Sequence, residues 1–321
     1  MPRVIVTDST FPGLERERAV ATRHGATLEE ARCTCEADVV AAAAAADVLL
    51  VQFAKVTRQA IERLPPDSAI VRYGIGLDNI DLSAARKRGI RVAYVPDYAT
   101  GEVADHTATL ILTALRKIIP LDQSVRAGAW DAVGIARPLR SLADATVGFV
   151  GFGRIGQQVH ARLQPFGLTS IYYDPYADTD ALSARAVDLD TLFSTADIVT
   201  LHSPLSPVTQ HLVDAHRLAQ MKSSAILVNT ARGGLIDTAA LEEALVAKRI
   251  AGAALDVFEQ EPLPGTSGLR RCPNLILTPH AAWYSDGAVE RLQALAADEV
   301  DRHLSGRPAR CPAPIPEAVV S

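Results

Sequence analysis

Short apolar runs alternate with longer stretches of helical spacing along almost the whole chain. The runs are apolar throughout rather than alternately apolar and polar, which is typical of strands covered on both faces of a parallel sheet. The pattern therefore predicts an α/β fold with parallel strands. In the first third it predicts strands at Arg3–Asp8, Asp47–Gln52, Ala69–Tyr73 and Arg91–Val95, and helices at Leu14–His24, Ala37–Ala46 and Ser83–Arg88.

The pattern changes at Gly101. From there to Ala127, apolar residues recur at helical spacing without an intervening glycine, which predicts one long helix at the entry to a second domain. The tail from Arg307 onward is rich in proline and is predicted to lie along the surface. Between these segments, further elements are predicted at Thr146–Val150, Ile155–Phe166, Ser170–Tyr173, Ile198–Leu201, Ala225–Asn229, Ala239–Lys248, Gly252–Val257, Leu275–Thr278 and Gly287–Leu304.

A length of 321 residues favours two domains, because single hydrophobic cores stop growing near about 250–300 residues. The formal net charge of -5 gives no basic field, so we expect neither nucleic acid nor a membrane surface as a partner. The start, Met1–Asp8, passes directly into a strand pattern, and the longest apolar stretch, Val39–Ala46, is far shorter than the about 20 residues that cross a bilayer. The expected location is the cytoplasm.

The cysteines do not form a metal-binding pattern. None of them has zinc-ligand spacing, so no metal is expected. Cys33 and Cys35 leave a redox pair as the alternative to reduced thiols. The four are Cys33, Cys35, Cys272 and Cys311.

A glycine-rich turn follows the predicted strand Thr146–Val150 and precedes a predicted helix. In a Gly-x-Gly-x-x-Gly turn, Gly151 makes the tight turn, Gly153 lets a pyrophosphate approach the backbone, and Gly156 lets helix and strand pack closely. The helix N-terminus then offers N–H groups to the phosphates. Glycines alone are weak evidence, but the strand before and the helix after them indicate a dinucleotide site.

The next predicted strand, Ser170–Tyr173, ends at Asp174, about 20 residues after the turn. A carboxylate at this place can accept both ribose hydroxyls of NAD and would repel the 2′-phosphate of NADP. The alternative is that Asp174 only begins a turn before Pro175. The combination predicts NAD as the cofactor.

Three polar residues follow the carboxyl ends of three predicted strands: Arg232, Glu261 and His280. Ligands of open α/β sheets bind at that edge, so these side chains can converge. Arginine binds a carboxylate with two parallel hydrogen bonds, and histidine exchanges a proton near neutral pH. Singly, they could be a surface arginine, a turn carboxylate and a capping histidine; their order together with the glycine turn favours catalysis.

Longer motifs carry a family resemblance. Asn229-Thr230-Ala231-Arg232-Gly233-Gly234, Ala254-Leu255-Asp256-Val257-Phe258-Glu259-Gln260-Glu261-Pro262, Thr278-Pro279-His280 and Gly74-Ile75-Gly76-Leu77-Asp78-Asn79-Ile80-Asp81 resemble the signatures of the D-isomer-specific 2-hydroxyacid dehydrogenases. The stretch His280-Ala281-Ala282-Trp283-Tyr284-Ser285 further resembles the C-terminal-binding protein branch, which is an NAD(H)-dependent transcriptional corepressor.

The resemblance implies an oxidoreductase of small 2-hydroxy acids. Arg232 would hold the substrate, His280 would be the acid/base and Glu261 its partner, and Ile75 and Gly76 would meet the substrate carboxylate. It further implies a homodimer formed through the nucleotide domain, to which the long helix would contribute. The cofactor contacts would come from Thr100, Gly151, Gly153, Arg154, Ile155, Gly156, Asp174, Ser203, Pro204, Thr209, Thr230, Ala231, Asp256 and Trp283.

The resemblance also implies how the domains are arranged. Two doubly wound parallel-sheet domains are expected, with a Rossmann NAD-binding domain inserted into a flavodoxin-like substrate domain. Residues 1–98 and 287–321 would form the substrate domain, and residues 99–286 the NAD-binding domain.

The sequence leaves alternatives open for the function of the protein and for the roles of several residues. One is an NAD(H)-sensing binding protein with residual activity, and another is a phosphite dehydrogenase-like enzyme; the Glu261–His280 pair disfavours a formate dehydrogenase. Trp283 resembles a tryptophan that packs on 4-methylthio-2-oxobutyrate in C-terminal-binding proteins, or it joins the two domains. His106 is expected to serve packing or an interface. The roles of Arg72, Tyr73, His202 and Asp256 are open.

Overall fold

The computed structural model describes residues 1–177 and 184–314, so residues 315–321 of the predicted surface tail lie outside the described residues. The chain divides into two compact units, one of residues 1–99 and 285–321 and one of residues 100–284. The domain boundaries predicted from the sequence lie after residues 98 and 286, within two residues of those in the structure.

Unit 1 is built on a five-stranded parallel sheet with strand order β2-β1-β3-β4-β5. This is the flavodoxin-like order that the resemblance implies. The central strand β3 is fully buried and β4 is buried except for Arg72, as their apolar runs predict. The strands are β1 (Arg3–Val6), β2 (Thr27–Glu30), β3 (Val48–Val51), β4 (Ala69–Arg72) and β5 (Arg91–Tyr94).

Helices cover both faces of this sheet. Three of them, α2, α3 and α4, share one apolar core with the strands, while α1 packs against α12, the last helix of the chain. Unit 1 therefore uses both ends of the chain. The helices are α1 (Glu15–Arg23), α2 (Glu36–Ala43), α3 (Arg58–Arg63), α4 (Leu82–Arg88) and α12 (Asp286–Leu304).

Unit 2 is built on a seven-stranded parallel sheet with strand order β12-β11-β10-β9-β6-β7-β8. Counted from its first strand, this is the Rossmann order extended by one strand. The order reverses between β6 and β9, where such sheets bind their ligands. The strands are β6 (Thr146–Val150), β7 (Thr169–Tyr173), β8 (Arg185–Ala186), β9 (Ile198–Leu201), β10 (Ile226–Asn229), β11 (Gly252–Leu255) and β12 (Leu275–Leu277).

Two apolar cores lie on the two faces of this second sheet. One joins the sheet to α5 and α8, and the other joins it to α9, α10 and α11. The predicted fold class, two doubly wound parallel α/β domains with a Rossmann-like domain, is confirmed. The helices are α5 (Thr100–Leu115), α6 (Ile118–Arg126), α7 (Ala132–Ala136), α8 (Arg154–Leu163), α9 (Leu189–Thr195), α10 (Ala215–Gln220) and α11 (Thr238–Val246).

The prediction of one long helix from Gly101 to Ala127 is wrong. The helix is broken between α5 and α6 at Lys117, whose φ of 51° is left-handed. Pro120 gives the reason, because its ring would clash with the carbonyl group of Arg116 in an uninterrupted helix, whereas proline is tolerated in a first turn. The strand β2 had no prediction, since this exposed edge strand is mostly polar and lacks an apolar run.

Candidate active site

The turn between β6 and α8, together with the first turn of that helix, carries the three glycines of the predicted nucleotide motif. Gly151 has a left-handed φ of 88°, and a Cβ there would lie 2.8 Å from the carbonyl carbon of His202. A Cβ on Gly156 would lie 2.7 Å from the carbonyl oxygen of Gly151. The protein's own backbone therefore requires both glycines. A Cβ on Gly153 would meet no protein atom within 4 Å, so this glycine fits the close approach of a pyrophosphate instead.

Asp174, directly after β7, is fastened to the same turn. Its Oδ2 accepts a hydrogen bond from the backbone N–H of Phe152 at 2.8 Å, and its Oδ1 accepts one from that of Tyr176 at 2.9 Å. The carboxylate thus lies beside the glycine turn, as a ribose-binding carboxylate must. Arg154 and Ile155 begin α8 immediately after the turn, where N–H groups lack helical partners.

The loop after β9 is shaped by its own hydrogen bonds. The hydroxyl of Thr209 accepts from the backbone N–H of Ser206 at 2.8 Å and donates to the carbonyl oxygen of Pro204 at 2.7 Å. Ser203 donates to the end of β6 at 3.3 Å, which places this loop beside the glycine turn. Thr100, another predicted cofactor contact, is the first residue of α5.

The segment after β10 is fixed from two sides. The hydroxyl oxygens of Thr230 and Thr107 on α5 lie 2.7 Å apart, and Thr107 donates its proton to the carbonyl oxygen of Val103. Thr230 is therefore the donor of the pair, because a hydroxyl has one proton. The N–H of Ala231 donates to the side-chain oxygen of Asn229 at 3.0 Å. These bonds hold the backbone that leads to Arg232.

The three predicted catalytic residues lie on loops that follow three adjacent strands of the sheet. Arg232 follows β10, Glu261 follows β11 and His280 follows β12, and these strands are paired side by side. A Cβ on Gly233 would lie 1.8 Å from the carbonyl carbon of Phe258, so the first two loops touch through their backbones. The guanidinium of Arg232 also donates to the carbonyl oxygen of the preceding residue at 2.6 Å.

Glu261 and His280 form a close pair. Glu261 Oε2 lies 2.6 Å from His280 Nδ1, and Glu261 Oε1 accepts from the backbone N–H of Phe258 at 2.8 Å. Burial by itself would raise the pKa of Glu261, but the hydrogen bond and charge of His280, the Phe258 N–H and the charge of Arg232 together lower it. Glu261 is thus ionised and accepts, so Nδ1 of His280 carries a proton.

The loop that carries His280 is folded around Asp256. This residue is fully buried; its carbonyl oxygen accepts from the N–H of His280 at 2.7 Å, and its carboxylate accepts from the N–H groups of Ala281 at 2.8 Å and Ala282 at 3.0 Å. The hydroxyl of Thr278 donates to the same carboxylate at 2.6 Å. The structure gives Asp256 these four partners in the loop; a contact of Asp256 with the cofactor stays a prediction.

A second histidine–carboxylate pair lies beside the first and was missed from the sequence. His211 Nε2 lies 2.6 Å from Glu259 Oε1, and Glu259 Oε2 accepts from the N–H of Thr238 at 3.0 Å. Burial would raise the pKa of Glu259, but its hydrogen bonds to Thr238 and His211 lower it. Nothing in the sequence links His211 to Glu259, because the fold alone brings the two loops together.

His202 and Trp283, whose roles the sequence left open, both pack against aromatic rings. The ring of His202 stacks on Phe149 with centroids 6.1 Å apart, and burial lowers the pKa of His202 to about 3. It is therefore neutral at physiological pH and supports the loop after β9. Trp283 is half-buried and packs edge-on against Tyr284 at 5.8 Å.

In unit 1, the loop after β4 is anchored at both ends. Tyr73 is buried and donates its hydroxyl to Glu17 at 2.9 Å, so it faces the core of this unit. Arg72 donates from Nε to Asn79 Oδ1 at 3.1 Å and from Nη1 to the carbonyl oxygen of Tyr73. Gly74 has a φ of 138° and lies against the Arg72 guanidinium. The predicted carboxylate contacts, Ile75 and Gly76, are the next two residues of this half-buried loop.

Two features are absent from residues 1–177 and 184–314. No helix in these ranges is long and apolar enough to cross a membrane. In the same ranges, no group of three or more histidine, cysteine, aspartate or glutamate side chains is arranged to hold a metal ion.

Comparison with known proteins gives one consistent family. The profile described as "D-isomer specific 2-hydroxyacid dehydrogenase, NAD binding domain" matches residues 108–282. A D-3-phosphoglycerate dehydrogenase of Methanocaldococcus jannaschii is 42% identical over 81% of this chain, but the match spans only 50% of that longer protein. A glyoxylate reductase of Thermofilum pendens is 41% identical over 78% of this chain and 76% of its own. The solved structure of a glyoxylate reductase from Paecilomyes thermophila is 26% identical, with 98% of both chains covered and a TM-score of 0.87.

Proposed function

Because this chain belongs to the family of D-isomer specific 2-hydroxyacid dehydrogenases, we propose that it interconverts a small 2-oxo acid and its 2-hydroxy acid with NAD(H), on Arg232, Glu261 and His280. The observation that carries the proposal is the 2.6 Å pair of Glu261 and His280, on a loop next to that of Arg232. The likeness to the C-terminal-binding protein branch stays a prediction.

In the reduction, Arg232 binds the substrate carboxylate, because its planar guanidinium matches the two carboxylate oxygens. The carbonyl oxygen lies toward His280, which gives it a proton as the bond order of C=O falls. Glu261 holds the imidazole through Nδ1, so the proton is transferred from Nε2 on the far side of the ring. NADH held in this site would supply the hydride for the carbonyl carbon. In the reverse direction, His280 takes the hydroxyl proton.

The glycine turn and Asp174 would hold the cofactor. Gly153 leaves the backbone open to a pyrophosphate, and the first turn of α8 offers its N–H groups. Asp174 would accept the ribose hydroxyls, which favours NAD over NADP. Ile75 and Gly76 would contribute backbone N–H groups to the substrate carboxylate. Unit 2 would then be the NAD-binding domain and unit 1 the substrate domain.

Glyoxylate is the first substrate to test, because a glyoxylate reductase is among the relatives. The experiment follows NADH oxidation with glyoxylate, hydroxypyruvate, pyruvate, phenylpyruvate and 4-methylthio-2-oxobutyrate, each with wild type and His280→Gln. Turnover that falls by about 10²–10⁴-fold in the variant supports the proposal. Tight NADH binding without turnover of any of the five acids contradicts the proposed substrate class.

We further propose that the protein is a homodimer joined through α6 and α7. No residue of α6 is buried within the chain, although the helix is partly apolar. Because exposed apolar patches are typical of protein–protein interfaces, this surface favours binding of an apolar partner surface. A second copy of the same surface is the simplest occupant, since isologous dimers are the commonest soluble oligomers. The exposed apolar residues are Ile118, Ile119, Val125, Trp130, Val133, Ile135 and Leu139.

The cytoplasm is the proposed location. All four cysteines are free thiols, which fits a reducing compartment. Fractionation of cells that express the protein would test this location.

A further inference from the structure

His106 on α5 lies against the loop that carries the proposed acid/base. Its Nε2 is 3.1 Å from the hydroxyl oxygen of Thr278 and 3.6 Å from Oδ1 of Asp256. Its side chain is 26% exposed, whereas that of Asp256 is fully buried. His106 is thus the one member of this small network that belongs to a helix and not to the strands β11 and β12 or their loops.

The hydrogen bonds of this network have a defined direction. The backbone N–H groups of Ala281 and Ala282 can only donate, so the Asp256 carboxylate accepts from both. Thr278 has one hydroxyl proton, and the 2.6 Å distance to Asp256 Oδ1 is that of a strong bond to a carboxylate. The Thr278 hydroxyl oxygen therefore accepts the hydrogen bond from His106, and Nε2 of His106 is the donor.

The conformation of His280 depends on this network. Its φ of 53° is left-handed, a conformation that is unfavourable for a non-glycine residue and persists only when its surroundings enforce it. The enforcing contacts are hydrogen bonds to Asp256. The N–H of His280 donates to its backbone carbonyl oxygen, and the N–H groups of Ala281 and Ala282 donate to its carboxylate. A rotation of the Asp256 carboxylate would thus be transmitted to the His280 backbone within the same loop.

We infer that His106 is a positioning residue for the reaction: through Thr278 it fixes the Asp256 carboxylate around which the His280 loop is folded. It touches neither substrate nor cofactor in this role. The inference rests on the proposed function, because it takes His280 to be the acid/base. It replaces the expectation that His106 serves only packing or an interface.

The test compares three variants on α5. His106→Ala removes the donor, His106→Gln keeps an N–H donor at the end of a side chain of similar reach, and Thr109→Ala is the matched control. Thr109 is an exposed residue on the same helix, and its hydroxyl donates to the carbonyl oxygen of Asp105 within that helix. For each variant, kcat, the KM of the 2-oxo acid and the Kd of NADH are measured.

We expect His106→Ala to lower kcat by about tenfold or more, because a small misplacement of an acid/base is costly. The Kd of NADH should rise by less than kcat falls, because the glycine turn and Asp174 are unchanged and only the hold of His106 on Asp256, a predicted cofactor contact, is lost. His106→Gln recovers most of kcat, and Thr109→Ala matches wild type. An unchanged kcat in His106→Ala, or an equal loss in His106→Ala and His106→Gln, overturns the inference.

Hydrogen exchange provides a second readout that does not need turnover. The amides of Ala281 and Ala282 should exchange about fivefold faster in His106→Ala than in Thr109→Ala, a factor in the range expected for one hydrogen bond. If wild type turns over none of the acids, the proposed function fails, yet faster exchange still supports the positioning contact. Unchanged exchange at both amides refutes it, whatever the activity.

Discussion

Glu261 holds His280 and is itself held: one of its carboxylate oxygens lies 2.6 Å from Nδ1 of His280, and the other accepts from the backbone N–H of Phe258 at 2.8 Å. The carboxylate therefore fixes the imidazole relative to its own loop. Because Nδ1 donates its proton to the hydrogen bond with Glu261, Nε2 is the ring nitrogen that would exchange a proton with a substrate. The same pair makes the stability of the site depend on pH.

The pH dependence follows from the lowered pKa of Glu261. Its ordinary value is 4.5, so the stabilisation by this carboxylate is fully present above pH 4.5 and is lost as the pH falls through the lower folded value. Glu261→Gln should thus lower the free energy of unfolding at about pH 5.5, where Glu261 is largely ionised in both the folded and the unfolded chain. Below the ordinary value this difference should shrink. Urea unfolding across acidic and neutral pH measures it, and a difference that grows on acidification would contradict the pairing.

Arg232→Lys should raise the KM of the 2-oxo acid by about tenfold or more while NADH binding stays unchanged. Lysine keeps the charge but loses the planar pair of donors that fits a carboxylate. Steady-state kinetics and NADH fluorescence titration separate the two effects. An unchanged KM would remove Arg232 from the carboxylate site.

Gly153→Ala should weaken NADH binding without weakening the fold. The added Cβ meets no protein atom within 4 Å, but it stands where the proposed pyrophosphate would approach the backbone. We expect the Kd of NADH to rise by about tenfold or more, with Tm within about 2 °C of wild type.

Gly265→Ala is the matched control for this change, because its Cβ is equally open and lies outside the glycine turn. Calorimetry and fluorescence titration are applied to both variants. Equal NADH affinity in Gly153→Ala and Gly265→Ala would argue against a pyrophosphate at this turn.

Val125→Glu should dissociate the proposed dimer. Val125 lies on α6 with 54% of its surface exposed, and a carboxylate there would be buried without a partner in an apolar interface. Light scattering coupled to size exclusion should show a monomer at concentrations where wild type is a dimer. Val246→Glu, a comparably exposed position at the end of α11, should leave the oligomeric state unchanged. Monomeric wild type would refute the dimer.

The local elements were largely readable from the sequence, because buried parallel strands leave unbroken apolar runs and the glycine turn has its own spacing. Strands such as β6 and β10 and the helix α12 lie where the pattern predicts them. The break at Lys117 was also encoded, in Pro120, but the apolar spacing on both sides concealed it. The edge strand β2 was missed because exposed strands lose the apolar signal.

By itself, the sequence determined the fold class, the family and the identity of the proposed catalytic residues, since each of these depends on short motifs and their order. Only the tertiary structure showed which side chains form hydrogen bonds around the loop that carries His280. Asp256 supports the loop of His280 by hydrogen bonds, and His106 reaches Thr278 from a helix 172 residues earlier in the chain. Such contacts leave no periodic or local signal, because strand order and helix packing, not sequence spacing, bring their partners together.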